Sequence, residues 1–174
     1  MIHPRVYAYS IFSAGLLATS AALATPFSQS ALPPSIQVPA GHSVAWETVG
    51  KGYINYECKQ TASGPEWVFA GPKATLTNRE GEQVGTYVGP PATWAANDGS
   101  KLTATQIAVA PAGEGNIPYQ LVKANPAIGK GLLTDVTYIQ RVALEGGAAP
   151  DMKCKPGEVT KATYKADYIF WKAN

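Results

Sequence analysis

Apolar and polar positions alternate with a period of two through much of this chain. Between Tyr53 and Cys58, Ile54, Tyr56 and Cys58 share one face while Tyr53, Asn55 and Glu57 share the other. That spacing is the mark of a half-buried β-strand. His42 to Val49 alternates in the same way, and Gly50-Lys51-Gly52 interrupts the pattern. The two segments therefore predict a hairpin around a glycine-rich turn. Further short strands are predicted at Trp67–Phe69, Thr75–Thr77, Gln83–Val88 and Lys101–Val109, bounded by Ser63-Gly64-Pro65, Asn78-Arg79-Glu80-Gly81 and Gly89-Pro90-Pro91. The strongest hairpin signal is Asn97-Asp98-Gly99-Ser100, because Asp-Gly readily supplies the positive φ that a tight turn needs.

Past the loop from Pro111 to Pro118, the stretch Tyr119–Ala124 reads as a strand or a short helical turn. Leu133–Leu144 is the longest pattern, with Val136, Tyr138, Gln140, Val142 and Leu144 alternating with Thr137, Ile139, Arg141 and Ala143. Its Val, Thr, Tyr and Ile content favours strand over helix. In the last segment Tyr164, Ala166, Tyr168 and Phe170 face one way, and Lys165, Asp167, Ile169 and Trp171 the other. No segment sustains a 3.6-residue period over three turns. The expectation is an all-β single domain, a β-sandwich or partly closed β-barrel of about ten short strands, with at most one or two helical turns near residues 112–130.

The N-terminus departs from this pattern. Arg5 precedes an apolar run through Ile11, Phe12, Leu16 and Leu17 that closes on Ala22-Leu23-Ala24. This predicts a secretory signal peptide over residues 1–24, cleaved before Thr25. Its dense apolar core is about twelve residues, short of the roughly twenty that span a bilayer. An extended arm over 25–34 and one β domain over 35–174 complete the organisation. The chain is then expected to be exported, to the periplasm or beyond, with no integral membrane segment left.

Charge and cysteine usage narrow the partners. Cleavage removes Arg5 alone among the charged residues, leaving 13 basic against 12 acidic side chains, interspersed. With no basic run there is no footprint for a phosphate backbone, so no nucleic-acid partner is expected. Cys58 and Cys154 are the only cysteines. An even count in an exported chain predicts a Cys58–Cys154 disulfide. Such a long loop is worth somewhat over about 4 kcal/mol by the chain-entropy argument.

Catalytic signatures are missing: no G-x-S-x-G elbow, S-x-x-K, H-E-x-x-H, P-loop or G-x-G-x-x-G is present. Gly113-Glu114-Gly115 lacks a third glycine and a following helix. His42 is the one histidine after the leader, and it reads as a solvated loop residue. No catalytic residue, metal site or cofactor is assigned. Glu57 and Asp98 are the carboxylates considered for glycosidic cleavage, which needs two carboxyl groups about 5–9 Å apart. Glu57 reads more simply as an exposed or ion-paired strand residue, and Asp98 as the residue that shapes its turn.

Aromatic residues offer the other hint, since a small β domain can expose a few rings as a platform. Trp46 and Trp67 sit in strand-like contexts and read as core. Trp94, between Pro90-Pro91 and Asn97-Asp98, is the leading exposed candidate. The expected contact site is Trp94, Asp98 and Ser100, joined by Tyr87, at one end of the domain. The competing structural reading has the same residues close a hairpin and cap the core.

A set of segments then resembles a known family. Tyr56-Glu57-Cys58, Trp67, Ala74-Thr75-Leu76, Val84-Gly85, Gly89-Pro90, Trp94 and Asp98-Gly99-Ser100 are followed by Ile139-Gln140-Arg141-Val142, Gly146-Gly147-Ala148-Ala149-Pro150, Cys154, Tyr164, Ala166-Asp167-Tyr168 and Phe170. In that order they resemble the uncharacterised secreted family of bacteria and fungi catalogued as domain of unknown function 3455, over roughly residues 33–171. The resemblance implies cysteines at Cys58 and Cys154 and supplies no reaction. It also implies a histidine just before the Gly-Pro element, where Tyr87 and Val88 stand, and a tryptophan where Tyr119 stands.

Together these features point to an exported, non-enzymatic β domain that binds an extracellular or envelope ligand, a surface glycan or a protein partner. The alternatives are a small carboxylate-dependent glycoside hydrolase and a cell-surface or matrix protein that self-associates through an unprotected edge strand.

Overall fold

The structure, a computed structural model, describes residues 27–174. The predicted leader through Ala24 lies outside the described residues. The fold is all-β, as the alternation requires. Its strands are β1 (His42–Thr61), β2 (Gly64–Thr77), β3 (Gln83–Val88), β4 (Thr93–Ala96), β5 (Lys101–Ala110), β6 (Tyr119–Ala124), β7 (Val136–Gly146) and β8 (Val159–Ala173). Each runs antiparallel to the next, and β8 returns to pair with β1, closing an up-and-down barrel. Closure leaves no terminal edge strand of the kind that edge-to-edge association uses.

Eight strands replace the expected ten because two pairs of predicted segments run on as single strands: Trp67–Phe69 and Thr75–Thr77 join in β2, and the glycines between the first two segments mark close packing rather than a turn. Gly50 and Gly52 lie inside β1, which runs unbroken for 20 residues. A Cβ on Gly50 would sit 2.4 Å from the Tyr168 ring, and one on Gly52 would sit 2.0 Å from the Lys73 carbonyl oxygen. Glycine there admits a neighbouring ring and backbone. The expected helical turns near residues 112–130 are replaced by the 111–118 loop and β6. Among the described residues the single helical element is a 3-10 turn, Pro34–Ile36, at the end of the arm.

The barrel interior is packed with side chains. Ile54, Leu76, Trp94, Leu102, Ile139, Tyr168 and Phe170 are all at most 2% exposed and belong to one cluster. An eight-stranded barrel is just wide enough to be filled this way or to hold one small ligand. The inward row of β8, Tyr164, Ala166, Tyr168 and Phe170, is the row that its alternation predicts. The opposite row is not wholly solvated. Ile169 and Trp171 join Leu121 and Val142 in a second cluster on the outer face, covered by Ile36, Val38, Leu32 and Phe27 of the N-terminal segment. Gln140 lies fully buried beneath that segment. Its Nε2 donates to the Ile36 carbonyl at 2.7 Å, and its Oε1 accepts from Trp171 Nε1 at 2.9 Å.

A disulfide joins Cys58 in β1 to Cys154 in the loop before β8. No helix among the described residues is long and apolar enough to cross a membrane.

Candidate functional site

Unequal strand lengths shape the site. β3 pairs with β2 only as far as Lys73↔Val88, and β4 pairs with β5 only as far as Thr93↔Thr103. β2 and β5 both continue beyond the short β3–β4 hairpin, so the wall has a notch between them. The notch opens onto a cavity of about 350 Å³ at that end of the barrel. Phe69 and Pro72 line one side, Gly89, Pro90 and Ala92 form the sill, and Gln106, Val109 and Gln120 line the other side. Tyr56, Tyr87, Ile117 and Arg141 complete the lining. Phe69 and Val109 remain 53% and 46% exposed, so the entrance is apolar.

Arg141 is the unusual member. It lies on the inward row of β7 with Ile139 and is only 7% exposed. Its Nη2 and Nε donate to a single acceptor, the Pro118 carbonyl oxygen, at 2.9 and 3.3 Å. Its other N–H groups find no protein acceptor among the described residues, and no carboxylate there pairs with it. A buried guanidinium normally has a counter-ion, because removing it from water costs several kcal/mol. Just beyond it, Ala143 has a φ of 49° in the bulge that shifts the β7–β8 register between Val142 and Glu145. Bulges at barrel rims re-aim side chains in this way.

The phenols around Arg141 stay neutral. Burial pushes the hydroxyls of Tyr56 and Tyr87 up from the usual tyrosine range, and the nearby Arg141 charge only partly offsets this. Burial does the same at Tyr164 and Tyr168, whose hydroxyls bond each other at 2.9 Å. Tyr56 donates to the Gly147 carbonyl at 2.8 Å. The Tyr87 hydroxyl has no protein hydrogen-bond partner among the described residues, although the side chain is 3% exposed. The cavity thus combines one positive group, the free phenol of Tyr87 and the amides of Gln106 and Gln120 with largely apolar walls.

The residues expected from the sequence to form a site are divided by the structure. Tyr87 lines the cavity. Trp94 does not stand out as an exposed platform: it is 1% exposed inside the barrel and stacks on Tyr87 with ring centroids 4.4 Å apart. Asp98 and Ser100 lie at the other end of the barrel, in the β4–β5 turn. There Asp98 Oδ1 accepts from the Ser100 hydroxyl at 2.7 Å and Oδ2 accepts from the Leu132 N–H at 2.7 Å. Glu57 is on the outer face, 3.3 Å from Lys59. His42 opens β1 far from the cavity, with its ring edge-on to Tyr138. No Asp or Glu lines the cavity, and no group of three His, Cys, Asp or Glu side chains among the described residues is placed to hold a metal.

Sequence reasoning missed Arg141, Gln106 and Gln120. The signal for Arg141 was present: alternation puts it in the row of Ile139, which is a core row. A cation in a core row is the informative exception. Gln106 and Gln120 gave no such signal, since their exposure depends on how far β4 extends.

No curated protein and no solved structure matches the chain. Residues 39–172, all but the last residue of the barrel, match the family described as Protein of unknown function (DUF3455), and the chain belongs to that family.

Proposed function

We propose that this protein is an exported, non-enzymatic binding domain whose ligand enters through the notch and occupies the cavity around Arg141 and Tyr87. The observation that carries this reading is a concave, mostly apolar site with a few convergent polar groups, the usual form of a small-ligand pocket. A reaction would need a nucleophile or an acid and base facing the same space. The lining offers phenols held neutral by burial and a guanidinium, and the carboxylates Glu57 and Asp98 lie elsewhere. Of the sequence-derived contact residues, Tyr87 touches the ligand in this reading. Trp94 acts through it by fixing its ring, and Asp98 and Ser100 hold the opposite end.

Export is part of the same proposal. The leader over residues 1–24 supports it, and the Cys58–Cys154 bridge suits an oxidising compartment. The ligand is then a component of the envelope or the surroundings, whether a free small molecule or part of a glycan or protein.

The test is a fragment titration on the isotopically labelled, oxidised protein, followed by chemical-shift perturbation. Fragments that bind should shift resonances of Tyr87, Gln106 and Gln120 together. If no fragment perturbs these residues, or a glycan array yields a ligand whose shifts map to another surface, the cavity is not the site.

A further inference from the structure

Arg141 sits in a site that has no counter-charge of its own. We infer that the cavity binds a carboxylate joined to an apolar body, with Arg141 and Tyr87 holding the carboxylate and Phe69, Pro72, Val109 and Ile117 covering the body. This rests on the binding role proposed above and specifies the class of ligand.

Three observations converge on it. First, the guanidinium is buried, carries no ion pair among the described residues, and spends two N–H groups on one carbonyl oxygen. Arg141 is part of the cavity lining, and its remaining N–H groups have no protein acceptor among the described residues. Charge-assisted hydrogen bonds to a carboxylate are roughly twice as strong as neutral ones, and the planar fork of arginine matches two carboxylate oxygens. Second, Tyr87 lines the same space, and its hydroxyl is free of protein partners among the described residues and stays protonated, burial pushing it further up from the usual tyrosine range. Its ring is fixed from behind by Trp94 at 4.4 Å and from the side by Tyr168 at 5.0 Å. A rigid donor loses little entropy on binding. Third, the rest of the lining is largely apolar.

The charge count selects the head group. One guanidinium with no lysine in the lining balances a monoanion. A phosphate monoester carries closer to two charges at neutral pH and would leave one buried and unpaired. A sugar would need many more hydrogen-bonding partners than Arg141, Tyr87, Gln106 and Gln120 provide. Gln120 Nε2 already donates to Gln106 Oε1.

The experiment compares 4-phenylbutanoate with 4-phenylbutanol, which shares its apolar body, and with the phosphate monoester of that alcohol. Each is titrated calorimetrically at neutral pH into the oxidised protein. The carboxylate should bind at least about tenfold tighter than the alcohol, as expected for a charge-assisted contact. Arg141→Met should remove that preference, bringing the affinity for the carboxylate down to that for the alcohol. Tyr87→Phe should weaken the carboxylate several-fold, and it serves alone if Arg141→Met fails to fold by near-ultraviolet circular dichroism. Equal binding of acid and alcohol overturns the carboxylate assignment but leaves the cavity as a ligand site. Tighter binding of the phosphate ester overturns it in favour of a dianion. If neither acid nor alcohol binds while other fragments shift Tyr87, the assignment also fails. If no fragment shifts Tyr87 at all, the binding role fails with it.

Discussion

The two ends of the barrel differ in what their polar groups are bonded to. At the end formed by the β4–β5 turn and the 125–135 loop, the side chains of both Asp98 and Ser100 have internal partners. Asp98 accepts from Ser100 and from Leu132, and the Ser100 hydroxyl accepts from the Leu133 N–H at 3.2 Å. These bonds hold Leu133, itself fully buried, as a plug in the barrel core. Gly131 makes the approach possible, because a Cβ there would lie 2.3 Å from the Asp98 carboxylate. At the other end the Arg141 guanidinium is bonded to one carbonyl, and Tyr87 offers a hydroxyl with no protein partner among the described residues. One end spends the Asp98 and Ser100 side chains on closing the barrel. The other leaves part of the Arg141 guanidinium and the Tyr87 hydroxyl without a protein partner among the described residues, in side chains that line a cavity.

If that contrast is right, mutations at the closed end should cost stability and mutations at the open end should not. The largest effects are expected for Leu133→Ala at the closed end and for Trp94→Ala in the packed core behind the cavity, a core position that lies outside the contrast between the ends. Removing a fully buried leucine costs about 2–5 kcal/mol, and a buried aromatic about 3–5 kcal/mol. Urea unfolding of the oxidised protein would measure both. Trp94→Phe should cost clearly less than Trp94→Ala, because the Trp94 Nε1 has no hydrogen-bond partner to lose. A Trp94→Ala change below 1 kcal/mol would mean that the ring is not part of the core.

Ser100→Ala comes next. It strands the buried Leu133 N–H, and an unsatisfied buried donor costs about 1–3 kcal/mol. Ser100→Cys should recover little, because sulfur accepts hydrogen bonds poorly. By contrast, Arg141→Met should change stability by no more than about 1 kcal/mol in either direction. Replacing a poorly compensated buried charge by an apolar group of similar reach is often neutral or stabilising. A loss above 3 kcal/mol would show that the guanidinium is a structural tie like Ser100, and the contrast between the ends would disappear.

Much of this architecture is legible in the residue pattern. The inward rows of β1 and β8 follow directly from the alternation of Ile54, Tyr56 and Cys58 and of Tyr164, Ala166, Tyr168 and Phe170. The bounds of β3 and β6 coincide with the predicted segments. The glycines were misleading where they serve packing, since Gly50 and Gly52 look the same in sequence as turn residues. The site was harder to read for a related reason. Trp94 stands among Pro, Asn and Asp and so reads as exposed, but its neighbours in space are Tyr87, its partner in the β3–β4 hairpin, and Tyr168, which reaches it across the barrel interior. The notch itself follows from β4 stopping after four residues, which no local property of β2 or β5 reveals.

The smallest expected effect concerns acid stability at the closed end. Hydrogen bonds from the Ser100 hydroxyl, the Leu132 N–H and the Ser100 N–H hold the Asp98 carboxyl below its usual range. A carboxyl depressed in the folded state binds fewer protons than in the unfolded chain, so it adds stability above the unfolded value of about 3.9 and loses it as pH falls through the folded value. In Asp98→Asn the side chain cannot titrate, and its amide nitrogen cannot accept from Leu132. The variant should therefore melt below wild type at pH 7, and the gap should narrow steadily as the pH drops below about 4. Thermal melts across that range, with Glu57→Gln as a control carboxylate on the outer face, measure the effect. A gap that stays constant with pH would mean that the carboxylate charge contributes nothing to closing this end. The difference between the ends would then rest on Leu133 and Ser100 alone.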